Sequence, residues 1–126
     1  MCIRDRLELL LAAARPGGLA DTRLEWSQQW AVTLVLASAG YPESSSSGDL
    51  ITGLERVPQA IEVTHAGTAR TPAGMVTAGG RVLNVTALGA NVEEARKSAY
   101  AAAEMISFDG MQMRHDICLL YTSRCV

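Results

Sequence analysis

The chain has 126 residues, 48% of them apolar and 19% charged, with 11 lysines and arginines against 13 aspartates and glutamates and a formal charge of −2. That is one domain large enough to bury a core of its own. The mild negative balance, without any lysine or arginine cluster, argues against nucleic acid or an anionic membrane as partner. The longest uncharged apolar run, Trp30 to Tyr41, is too short to cross a bilayer, which takes about 20 residues.

Leu7 to Ala14 is rich in helix formers and lacks β-branched residues, so it reads as a short helix ended by Pro16-Gly17-Gly18. Its leucines make a broad stripe that wants a partner. Arg6 and Glu8 interrupt the apolar stretch and argue against a signal peptide. Ala31 to Ala37 is nearly all apolar, with β-branched members, and predicts a strand buried on both faces. Gly40-Tyr41-Pro42 ends it, and Glu43 to Gly48, with four consecutive serines, has little to bury and reads as a loop. A second strand is expected over Leu50 to Leu54. Short strands over Ala60 to Thr64 and Met75 to Thr77 are separated by His65-Ala66-Gly67-Thr68 and Thr71-Pro72-Ala73-Gly74, both turns.

Arg81 to Leu88 alternates, with Val82, Asn84 and Thr86 on a wetter side and Leu83, Val85 and Ala87 on a drier one. Asn91, with Glu94 three residues on, predicts a capped helix start. Val92, Ala95, Ala99, Ala102, Ala103 and Ile106 then recur at helical spacing, with Glu93 and Lys97 as an exposed i,i+4 pair. The fold class is α+β: a mainly antiparallel β core, barrel-like, with one C-terminal helix packed on it and a short N-terminal helix.

Val76-Thr77-Ala78-Gly79-Gly80-Arg81-Val82-Leu83-Asn84-Val85-Thr86-Ala87-Leu88-Gly89 is a glycine turn opening directly into a strand, with an arginine at the hinge. This segment resembles the carboxy-terminal domain of the phosphoribosylamine–glycine ligase family, the ATP-grasp enzymes also called glycinamide ribonucleotide synthetases. Further motifs follow in family order: Leu7-Glu8-Leu9-Leu10, Trp30-Ala31-Val32-Thr33, Ala39-Gly40-Tyr41-Pro42, Gly48-Asp49-Leu50-Ile51, His65-Ala66-Gly67-Thr68, Ala99-Tyr100 and Gly110-Met111-Gln112-Met113-Arg114-His115-Asp116-Ile117. The resemblance covers about Leu7 to Ile117. It departs at Ser45, where the family carries an aromatic nearby, at Ser47, where a basic residue is frequent, and after Ile117, where the family continues with glycine.

The resemblance implies a cytoplasmic enzyme of purine (IMP) synthesis that joins glycine to 5-phosphoribosylamine, using ATP and magnesium or manganese. Residues 30–117 would be its C-terminal ligase domain, and 7–29 the tail of the preceding ATP-grasp domain with a linker. Residues 1–6 and 118–126 resemble translated adapter sequence and read as non-native, which would account for Cys2, Cys118 and Cys125 all lying near an end. The ATP and metal ligands belong, in the family, to the upstream ATP-grasp domain, so this fragment alone is expected to be inactive and to bind no cofactor. Two other classes stand beside that reading: a free-standing module binding a phosphoribosyl ligand, and a structural or dimerising domain.

Candidate substrate-binding residues are Arg114, Arg81, Gly79 and Gly80. Arg114 could present a planar guanidinium to a phosphate or carboxylate, or pair with Asp116 or Asp109 to pin the chain end. Gly79 and Gly80 could let backbone N–H groups approach an anion beside Arg81, or could simply form a tight turn needing positive φ. No catalytic residue and no metal ligand is assigned, since Glu93, Glu94 and Glu104 sit on a solvated helix and Asp109 and Asp116 are not evidently paired. His65 reads as a structural hydrogen-bonder, Asp49 as a turn acceptor and Tyr41 as a staple at a strand end. Trp26 and Trp30 read as docking or core aromatics.

Overall fold

A computed structural model describes residues 3–20, 22 and 26–117, with the side chains of residues 3–6 left aside. Residues 1–2 and 118–126, within the two segments read as non-native, lie outside the described residues. The elements run α1 (Ile3–Ala13), β1 (Trp30–Ala37), β2 (Ser47–Leu50), a 3-10 turn (Leu54–Arg56), β3 (Glu62–His65), β4 (Thr68–Thr71), β5 (Gly74–Ala78), β6 (Arg81–Gly89) and α2 (Val92–Ala103). The strands form two antiparallel three-stranded sheets, ordered β1-β6-β3 and β2-β5-β4. The α+β expectation holds.

The larger sheet carries the core on one face only. Val32, Leu34 and Leu36 of β1 stand opposite Ala87, Val85 and Leu83 of β6, and all six are buried. Over them lies α2, presenting Ala95, Ala99, Ala102 and Ala103, with Ile106 and Phe108 completing the cluster. Alanine at each contact position lets the helix backbone come close to the sheet. Where β6 ends, a Cβ on Gly89 would meet the Ala95 backbone, so glycine lets the helix start directly over the strand.

The expectation that β1 is buried on both faces is corrected. Thr33 and Val35 face solvent, because α2 covers one side and no described element covers the other. The period-two reading of β6 holds for Leu83, Val85 and Ala87 against Asn84 and Thr86. Val82 departs from it: this residue is fully buried, at a register shift where Leu36 pairs with Leu83 and Ala37 with Arg81. The bulge swings Val82 out of the alternation.

The cap of α2 forms as expected. Asn91 Oδ1 accepts the Glu94 N–H at 2.9 Å, and Glu94 Oε2 accepts the Ala90 N–H at 3.1 Å. Glu93 and Lys97 are exposed, without an ion pair between them.

The second strand is displaced relative to expectation: β2 is Ser47–Leu50, not Leu50–Leu54. Side chains reinforce its backbone pairing with β5. The Asp49 N–H donates to Thr77 Oγ1 at 3.0 Å, and Thr77 Oγ1 in turn bonds Asp49 Oδ2 at 3.0 Å. Ser46 Oγ donates to the same carboxylate oxygen at 2.7 Å. Gly53, at φ 86°, then turns the chain into the 3-10 segment, so the run cannot continue as a strand. The third strand begins at Glu62 instead of Ala60. The unforeseen β4 lies between the two expected turns, closing a tight hairpin with β5 through Thr71 to Gly74.

Gly67 joins the two sheets. Its N–H donates to the Arg81 carbonyl and its carbonyl accepts the Ala78 N–H, each at 2.8 Å. After α2 the chain returns to the edge of β1, where Ala37 and Gln112 exchange hydrogen bonds, and Thr52 and Ser107 do likewise.

Candidate functional site

The Gly79-Gly80-Arg81 turn sits where β5 passes into β6. Neither glycine adopts positive φ, so that alternative reading of the turn is corrected. Glycine at 80 serves a different need: a Cβ there would run into the Tyr41 ring. The Gly80 carbonyl accepts the Ser38 N–H at 2.9 Å, fastening the turn to the end of β1. Neither Gly79 nor Gly80 N–H has an acceptor among the described residues.

Beside this turn lies a groove of about 510 Å3, open to solvent, lined by Val35, Tyr41, Gly67, Gly80, Arg81 and Asn84 among others. Among the described residues no acidic side chain lines it. Val35 and Asn84 are register partners on the uncovered face of the larger sheet, flanked by Thr64, whose Oγ1 accepts from Asn84 Nδ2 at 3.1 Å. One row further along, Thr33 and Thr86 share a hydrogen bond of 2.9 Å. Arg81 has no carboxylate within ion-pair distance among the described residues. A guanidinium in an acid-free groove is suited to a phosphate or carboxylate.

Arg114 stands elsewhere. Its Nε and Nη2 reach both oxygens of Asp116, at 2.8 and 2.6 Å, the ion pair that the sequence offered as one of two readings. The residues lining the Arg81 groove do not include Arg114, so the structure does not bring the two candidate arginines together in it. Asp109 is exposed and takes no part in the pair.

The Arg114 guanidinium, chiefly through its hydrogen bonds, holds the Asp116 carboxyl below its ordinary value of 3.8. A depressed folded-state value means that the pair adds stability above the unfolded value, and that this is lost as pH falls through the folded one. Asp116→Asn should therefore lower the melting temperature at pH 7. Thermal denaturation at stepped pH should show the gap from the parent closing below the ordinary carboxylate range.

The segment bearing this pair is gripped by α2. Arg96 Nε donates to the Ile117 carbonyl at 2.9 Å and Arg96 Nη2 to the His115 carbonyl at 3.3 Å. Tyr100 OH donates to the Arg114 carbonyl at 2.7 Å. Arg96 also lies over the Tyr100 ring, 4.9 Å from its centroid, and His115 stacks on that ring.

The remaining candidates fall to structural roles. His65 Nδ1 lies 3.1 Å from Thr68 Oγ1, whereas Asp49 lies within β2 and its carboxylate accepts from Thr77 of β5, so it is a cross-strand acceptor and not the turn acceptor expected. Tyr41 packs on Gly80 and also lines the groove. Trp26 and Trp30 are 75% and 57% exposed, so neither is a core aromatic. Among the described residues no three histidine, cysteine, aspartate or glutamate side chains gather where a metal ion could be held, and no helix is long and apolar enough to cross a membrane. Sequence reasoning passed over Asn84 as a site residue, although its place on the wetter side of an alternating strand was the available signal.

Residues 31–119 match the family model described as the phosphoribosylglycinamide synthetase C domain. The chain is 50% identical over 116 residues to the phosphoribosylamine–glycine ligase of Neisseria meningitidis serogroup A, covering 91% of this chain and 27% of that protein. It is 51% identical over 121 residues to the ligase of the same name from Streptomyces coelicolor, covering 91% of this chain and 29% of that protein. Among solved structures, the phosphoribosylamine–glycine ligase of Thermotoga maritima superposes with a TM-score of 0.69 at 34% identity, over 86% of this chain and 27% of that one. The chain thus spans between a quarter and a third of the length of these relatives.

Proposed function

Because the chain belongs to the family of the phosphoribosylglycinamide synthetase C domain, we propose that it serves as the carboxy-terminal domain of a phosphoribosylamine–glycine ligase. In the proposed reaction ATP phosphorylates the glycine carboxylate and leaves as ADP, and the amine of 5-phosphoribosylamine attacks the resulting glycyl phosphate and expels phosphate, forming the amide of purine biosynthesis. The observation that carries this reading is the family match across residues 31–119, which coincides with the two sheets and α2. We take 30–117 as the ligase domain. We assign ATP, magnesium or manganese and the chemical step to an ATP-grasp domain joined ahead of it. No group of described residues fits a metal-ligand set.

This domain's part is to wall the substrate site and hold an anion. Arg81, with Gly79 and Gly80 beside it, is the better supported candidate, because no acid lines its groove among the described residues. Arg114 could reach substrate only by giving up geometry that now serves Asp116. We place the activity in the cytoplasm, where the cysteine-free body of the domain is at home.

The test is a graft. In the Neisseria meningitidis ligase, the matched 116-residue segment is replaced by its counterpart from this chain. The hybrid should form ADP only when glycine and phosphoribosylamine are both present. The 126-residue chain alone should form none. A folded hybrid that binds ATP yet shows no such turnover would defeat the reading.

A further inference from the structure

We propose that the Arg81 groove receives the sugar-phosphate substrate, not glycine or the nucleotide, with Arg81 on the phosphate and Asn84 on the sugar hydroxyls. The inference rests on the ligase reading and adds to it a substrate class and three residues: Asn84, Tyr41 and Val35.

Charge comes first. Arg81 has no carboxylate partner among the described residues and no described acid lines its groove. Burying its charge against a dianionic phosphate therefore breaks no existing pair, and the planar fork can donate two parallel bonds. Size comes next. At about 510 Å3 the groove holds far more than the smallest amino acid would fill. A nucleoside triphosphate fits less well, because Arg81 is the single cation in the described lining to set against its three phosphates.

Surface chemistry narrows the choice further. A ribose ring shows carbon-bound hydrogens on its faces and hydroxyls at its rim. Val35 and Tyr41, each 39% exposed, offer apolar surface for the former. Asn84 spends one N–H on Thr64, which leaves its carbonyl oxygen and second N–H for the latter. Tyr41 OH has no partner among the described residues and adds a further donor. Glycine carboxylate alone would use the arginine and leave that amphipathic wall idle.

The experiment uses the hybrid ligase, with ribose 5-phosphate as a competitor of phosphoribosylamine. Arg81→Gln should raise both the KM for phosphoribosylamine and the inhibition constant of ribose 5-phosphate by about 10- to 100-fold, the scale of one lost bond to a charged group. The KM values for glycine and ATP should hold. Asn84→Ala should raise the same two constants by roughly 3- to 10-fold. Both side chains reach solvent, so melting temperatures should match the parent. Arg70→Gln, at an exposed arginine outside the groove, should change nothing.

A ribose 5-phosphate constant within about twofold of the parent in both variants overturns the proposal. So does a rise confined to the KM for glycine. An inactive parent hybrid sinks the ligase reading instead. If that hybrid still binds ribose 5-phosphate, measured calorimetrically, and Arg81→Gln weakens the binding, the groove assignment stands alone; absence of such binding overturns it too.

Discussion

Leu83→Ala should destabilise the chain by about 3 kcal/mol, within the range for buried leucine truncation. Leu83 is fully buried and stands opposite Leu36, equally buried, on the face that α2 covers. Both neighbours belong to regular elements, which cannot collapse into the void without breaking the β1–β6 ladder. Against a total of roughly 5–15 kcal/mol for a domain of this kind, the loss is a large share. It corresponds to a melting point lower by about 10–20 °C. Leu88→Ala is the matched control: that side chain is 50% exposed on the uncovered side, and its loss should shift stability by less than about 0.5 kcal/mol. Chemical denaturation of both variants checks the contrast. Equal midpoints would mean that the helix does not seal the sheet.

Gly53→Ala should cost a similar amount by another route. At φ 86° any side chain is strained, for about 1–2 kcal/mol. The new Cβ would also collide with the Met105 carbonyl, which accepts a 2.7 Å hydrogen bond from Arg56 Nη2. The obstacle is backbone, so segment 105–107 must move, and the paired bonds between Thr52 and Ser107 loosen with it. With those included, about 3 kcal/mol is expected. Gly48→Ala separates the two causes, since Gly48 has φ 94° and a Cβ added there would meet nothing within 4 Å. Only the conformational part should appear at that position. If the two alanine variants melt together, the Met105 contact has no energetic weight.

Legibility followed the range of the interactions involved. β6 and α2 could be read because their determinants are local: alternation from Leu83 to Ala87, an asparagine cap and an alanine face. β1 could be half read. Its composition is apolar on both sides, and only the position of α2, more than 50 residues later, decides which side is covered. β2 was opaque because serine, glycine and aspartate are poor strand formers. What orders them is Thr77, 28 positions away. β4 hid between two correctly read turns.

At the candidate site, the Gly79-Gly80-Arg81 motif stood out in the sequence, but the reason for glycine did not. Position 80 is small because Tyr41, distant in sequence, lies against it. The Arg114–Asp116 pair was one of two readings and depends only on neighbours in the chain. The grip of Arg96 and Tyr100 on the returning segment went unseen, since both look like ordinary residues on the polar side of a helix.

That grip sorts substitutions into two kinds. Arg96 and Tyr100 take hold of main-chain oxygens at 114, 115 and 117, which every amino acid supplies alike. An exchange at 114, 115 or 117 therefore leaves those acceptors in place, whereas replacing Arg96 or Tyr100 removes the donors themselves.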